Sequence, residues 1–306
     1  MNQETDRSSS VDAVFDGLHG NIDLTDVSDR TDDRIHRLLA APYLQRLRRI
    51  KQLGFVSQSF LSAEHNRYAH ALGTMQMMRE ILQRTKSQDR FWKEVIQDIK
   101  KLFPRTGRSK NLAASRDDVH QHLLVAALLQ DVGEFPYSRA TGFVFSPSES
   151  TKQTVQAELG IATEQAKLKD LMTFALIFDP KYRDLLDGLD SHLLAFLIAG
   201  ALPDNRSATK SLLALRQMID GAIDADRLDY VYRDAFHTIG THSRAKAVID
   251  SIASYDERGP ILNHVRPITD FLEPFRKVSI HDEGAVNRRS MRRIMARRMK
   301  AAALRA

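Results

Sequence analysis

Apolar residues recur at three-to-four spacing along most of the chain, the period of a helix that buries one face. The pattern starts in "DRTDDRIHRLLAAPYLQRLRRIKQLG" and predicts further helices over 67–84, 88–102, 117–131, 152–176, 191–202, 207–219, 222–236, 266–277 and 285–304. One stretch breaks the period. "AVIDSIASYDERGPILNHV" holds two β-capable runs around an Asp-Glu-Arg-Gly turn and reads as a small hairpin near residues 247–265. The class is therefore mainly α. Residues 1–10 are polar and read as disordered, 104–116 as an exposed loop rich in Ser, Gly and basic residues, and 11–306 as one domain that includes a basic C-terminal helix at about 285–305.

Composition narrows this picture. With 306 residues and 42% hydrophobic content the chain can bury a substantial core. It has no cysteine, which excludes disulfides and thiolate metal sites. No stretch has the roughly 20 apolar residues that span a bilayer, so a soluble, cytoplasmic protein without membrane contact is expected. The net charge of +6 is local, because residues 287–306 carry eight basic side chains and no acid, leaving −2 for the rest. In that tail Arg288, Arg289, Arg292, Arg293, Arg297 and Arg298 interleave with methionines, as on a basic amphipathic helix. Such a helix can contact nucleic acid by counterion release, sit at a subunit interface, or simply pack with solvated arginines.

Three separated segments place polar, metal-competent side chains beside apolar helical runs. They are "EHNRYAH" with His65, Arg67 and His70, the pair Gln130-Asp131 at the end of an apolar run, and "DADRLDYVYRD". In the last, Asp226, Asp229, Tyr230, Arg233 and Asp234 share one helix face, which is either a solvated exterior or the wall of a pocket. Each of these has an ordinary alternative, since a lone buried histidine is more often structural than a ligand and a helix-end aspartate bonds local backbone. His120 and His122, at the head of the apolar run, read as surface or capping groups. His19 reads as a local folding or subunit contact, and spacing alone does not place His237 and His242.

Taken in order, "YLQRLRRIKQLG", "AEHNRYAHALGTM", "ALLQDVGEFPYS" and "DADRLDYVYRDAFHTIG" resemble the HD-domain deoxynucleoside triphosphate triphosphohydrolases, a likeness that runs from about residue 12 onward. The resemblance implies an HD-type helical fold, a homo-oligomer, and release of triphosphate from a deoxynucleoside triphosphate at a divalent metal. It implies His70, Asp131 and Asp226 as metal ligands, Arg67 as a phosphate contact, and Asp229, Tyr230 and Asp234 as positions near the metal and the nucleoside.

The sequence departs from the family pattern where the chemistry lies. Gln130, Glu134 and Arg139 stand where that pattern has histidines. Gln130 offers only a neutral amide oxygen, a weak ligand, and Arg139 can clamp phosphate but cannot exchange a proton near neutral pH. Two readings stay open. In one, the chain binds a nucleotide with impaired or absent hydrolysis and acts as a regulatory or oligomeric subunit, beside a partner protein or alone. In the other, Glu134 supplies a replacement carboxylate, and a site of one nitrogen and several carboxylates takes Mg²⁺ or Mn²⁺ and remains active.

Overall fold

The computed structural model describes residues 13–25, 33–58, 60–103, 115–138, 141, 145–203, 206–240, 245–264 and 266–273. It opens on an antiparallel pair, β1 (Ala13–Asp16) and β2 (Gly20–Asp23). Helices follow: α1 (Arg34–Ala40), α2 (Pro42–Gln45), α3 (Arg67–Thr85), α4 (Asp89–Leu102), α5 (Arg116–Leu129), α6 (Glu149–Leu159), α7 (Leu168–Phe178), α8 (Ser191–Ala199), α9 (Lys210–Arg216), α10 (Ala225–Ile239) and α11 (Ala245–Ser251). A second antiparallel pair, β3 (Ile252–Asp256) and β4 (Gly259–Leu262), comes last before a helical stretch over 266–273.

The mainly α class is as the periodicity predicts. At its centre lies α5, whose residues from Val119 to Leu129 are all buried, as an all-round apolar helix must be. Its start is fixed by a capping box in which Ser115 accepts from the Asp118 amide while the Asp118 carboxylate takes the Ser115 amide. The neighbours α3, α4 and α8 pack around it, and α10 and α11 pack on α3. The apolar run of α5 ends at Leu129, so Gln130 and Asp131 are delivered at the point where the core meets the polar interior.

Several boundaries differ from the periodic reading. The helix expected over 152–176 is two helices, because Gly160 takes a left-handed conformation (φ 63°) that closes α6. The next residues then bridge to another segment, with the Ala162 amide donating to the Leu202 carbonyl at 2.8 Å. The hairpin expected near 247–265 is confined to β3 and β4, since Val248 and Ile249 are buried at helical spacing on α11. β1 and β2 were not anticipated. Their turn is local chemistry: the Asp16 carboxylate accepts from the Leu18 and His19 amides at 2.9 and 3.1 Å, and Gly20 has φ 70°. The expectations for 1–10 and for the helix at 285–305, and nearly all of the 104–116 loop, lie outside the described residues.

Candidate metal centre

The site is built where α3 crosses α10. A Cβ on Gly73 would overlap the Asp229 carboxylate and the Arg233 guanidinium, so only glycine lets these helices approach so closely. One turn earlier on α3, His70 is fully buried between carboxylates. Its Nδ1 lies 2.7 Å from Asp229 Oδ2, its Nε2 lies 2.8 Å from Asp226 Oδ1, and Asp131 Oδ2 is 3.6 Å from Nε2. Burial opposes a charge on this imidazole, but the hydrogen bonds and charges of Asp226 and Asp229 prevail and push its pKa up to about 10.

Asp229 is the hub of a closed network. It takes a 2.6 Å contact from His19 Nε2 and two 3.0 Å bonds from Arg233, whose third bond reaches Asp16 Oδ2 at 3.0 Å. Burial alone would raise the Asp229 carboxyl, yet Arg233, His19 and His70 together hold it well below the usual carboxylate range. The polar stripe of α10 is thus an interior wall, with Asp229, Arg233 and Asp234 buried. Asp234 takes a separate partner, His65 Nε2 at 2.8 Å, and His65 stacks on His237 with ring centroids 4.5 Å apart. Tyr230 is half-buried against the apolar core.

Asp131 carries a different set of partners. Arg67, 4% exposed, pairs with Oδ2 through Nη1, and its Nε donates to Ser138 Oγ at 3.1 Å. Lys169 Nζ donates to Oδ1 at 3.1 Å. Burial would raise the Asp131 carboxyl, but Arg67, Lys169 and His70 override it and hold it far below the ordinary range. Glu134 lies against Arg67, with Oε2 3.5 Å from Nη2, rather than inside the histidine–aspartate group. Gln130 donates its amide to Asp226 Oδ1 at 2.8 Å. Arg139 lies outside the described residues, as do His242 and the arginines of the tail.

One atom from each of His70, Asp131 and Asp226 lies within 4.8 Å of the other two, from positions that span more than half the chain. One imidazole nitrogen and two carboxylate oxygens are a donor set that suits a divalent cation. The Nδ1 contact to Asp229 adds the carboxylate–histidine pairing that fixes ring orientation in metal sites and leaves Nε2 facing the two remaining carboxylates. What the sequence did not reveal was Lys169, which has no motif around it, and the tie of Asp16 and His19 to α10, for which the Asp-Gly-Leu-His-Gly turn was the available signal.

No protein-family model matches the chain. It is 27% identical over 237 residues to an uncharacterized protein of Mycoplasma genitalium, covering 76% of this chain and 46% of that relative. It is 28% identical over 208 residues to the uncharacterized protein YwfO of Bacillus subtilis, covering 68% and 37%. With a deoxynucleoside triphosphate triphosphohydrolase SAMHD1 homolog of Dictyostelium discoideum it shares 24% identity over 237 residues, covering 76% and 38%. A crystal structure of a phosphohydrolase from Bacteroides thetaiotaomicron superposes with a TM-score of 0.57 at 22% identity, over 86% of this chain and 52% of that one. The two share a fold. The chain spans less than half the length of these three sequence relatives.

The histidines at the start of α5 correct the surface reading, for both His120 and His122 are buried. His122 lies 2.7 Å from the Asp118 carbonyl through Nδ1 and accepts from the Asp190 amide at 2.9 Å through Nε2. His120 packs edge-on against Trp92 at 4.6 Å, and its Nε2 has no hydrogen-bond partner among the described residues. Among the described residues no helix is long and apolar enough to cross a membrane.

Proposed function

We propose that this chain is an HD-domain phosphohydrolase-like protein that binds a nucleoside triphosphate at a divalent metal held by His70, Asp131 and Asp226, with hydrolysis weak or lost. The observation that carries the reading is the convergence of those three donors from distant segments, with Asp229 orienting the imidazole. The fold shared with a phosphohydrolase and the similarity to a triphosphohydrolase homolog support the choice of substrate class. A cation bound there supplies Lewis acidity toward a phosphoryl oxygen.

The chain's own residues argue for binding over turnover. Gln130 cannot accept or deliver a proton near neutral pH, and Arg67 and Lys169 are permanent or near-permanent cations. Glu134 is directed to Arg67, which speaks against its serving as a fourth metal carboxylate. His70 is the imidazole of the donor triangle, and both its nitrogens face carboxylates. In this reading Arg67 and Lys169 would hold phosphate oxygens, with Arg139 a further candidate for that role, while Tyr230 and Asp234 would flank the nucleoside. A homo-oligomer or a partner protein that supplies the missing proton-transfer group belongs to the same reading.

The test incubates purified protein and Asp131→Asn with each deoxynucleoside triphosphate and Mg²⁺ or Mn²⁺, measuring bound nucleotide by equilibrium dialysis and products by ion exchange. Metal-dependent binding that Asp131→Asn abolishes, with little triphosphate released, is the expected result. Rapid, Asp131-dependent release of triphosphate would replace this reading with that of an active enzyme. Absence of nucleotide binding would end both.

A further inference from the structure

Both oxygens of Asp131 are covered by cations of the protein itself: Arg67 on Oδ2 and Lys169 on Oδ1. These two cations differ in how they are held. Arg67 is 4% exposed and is also bonded to Ser138. Among the described residues the Lys169 ammonium bonds Asp131 alone, from a side chain that is 33% exposed on a flexible four-carbon stem. Its position is imposed by the backbone. A Cβ on Gly133 would overlap the Lys169 carbonyl, so glycine lets the turn after α5 lie directly on the first turn of α7 and brings the lysine to Asp131.

We propose that Lys169 is a tethered counter-cation of the metal centre, neutralising Asp131 from Oδ1 while Oδ2 faces His70 Nε2, and withdrawing to solvent when a divalent ion binds. This rests on the metal reading given above. Like charges at such distances repel strongly where water is scarce, so the ammonium and the ion exclude one another. The competition sets the metal affinity of the site. Arg67, gripped by Ser138, stays in place, and the displaced ammonium stands at the mouth of the site, where it suits an anionic phosphate.

The experiment titrates Mn²⁺ into the full chain by calorimetry for wild type, Lys169→Met and Lys169→Gln. The glutamine variant keeps a donor on Asp131 without the charge, which guards the fold. Alongside, amine acetylation of Lys169 in the wild-type protein is followed by peptide mass spectrometry with and without Mn²⁺. Removal of the charge should tighten Mn²⁺ binding about tenfold or more, and acetylation of Lys169 should rise when Mn²⁺ is present. Mn²⁺ binding to wild type with unchanged affinity in both variants, or with Lys169 acetylation unmoved, would overturn the proposal and leave the metal reading intact. No Mn²⁺ binding by wild type or either variant would overturn the metal reading and the proposal with it.

Discussion

The two ends of α5 hold buried histidines whose pKa values shift in opposite directions. Beyond its C-terminus, His70 sits among Asp226, Asp229 and Asp131 with its pKa pushed up to about 10. In its first turns, burial pushes His120 down to about 4 and also lowers His122. Exposure does not separate them, since all three are buried. What separates them is the partner: carboxylates in contact at one end, and a tryptophan edge, a backbone carbonyl and a backbone amide at the other. A histidine in a core is therefore evidence for chemistry only when its neighbours are known. One end of α5 is a charged centre, and the other is packing.

The comparison is broken most severely at Gly73. Gly73→Ala drives a methyl into the Asp229–Arg233 pair and should cost roughly 5 kcal/mol or prevent folding, read as loss of a cooperative urea transition. Asp229→Asn leaves Arg233 and His70 without their shared charge. About 3–5 kcal/mol should be lost, and metal affinity should fall 10–100-fold in a Mn²⁺ titration.

At the other end the effects are those of packing and hydrogen bonding. His122→Phe orphans the buried Asp190 amide, for about 1–3 kcal/mol by urea denaturation, with metal affinity unchanged. The smallest effect sharpens the contrast most. His120 binds its proton more weakly folded than unfolded, so the folded state is favoured above the ordinary value of 6.5 and loses stability as pH falls from there toward 4. By about pH 5.5 that loss is roughly 1 kcal/mol, and His120→Leu, which removes a buried nitrogen that has no partner among the described residues, should flatten this part of the profile while holding stability at neutral pH. A profile identical in the variant would show that His120 does not titrate there.

The helices were legible because burial imposes their period: α3, α4 and α5 start and end within two residues of the apolar pattern. The break at Gly160 was not, since a single left-handed residue inside a helical composition carries little periodic signal. Of the site, His70, Asp131 and Asp226 were singled out by resemblance to a family motif, and the structure brings them together. The fate of the α10 stripe was undecidable from spacing, because a charged face looks the same toward solvent as toward His70 and His19. Lys169 was invisible for a related reason: its role depends on the close approach of two backbones at Gly133, which no pattern in either segment records.

The most direct test of the metal centre is an anomalous difference map from a crystal of the full chain soaked in Mn²⁺. The account predicts a single strong peak about 2.0–2.3 Å from His70 Nε2 and from a carboxylate oxygen of each of Asp131 and Asp226. A map with no peak among those three side chains, from protein whose fold is intact, would contradict it.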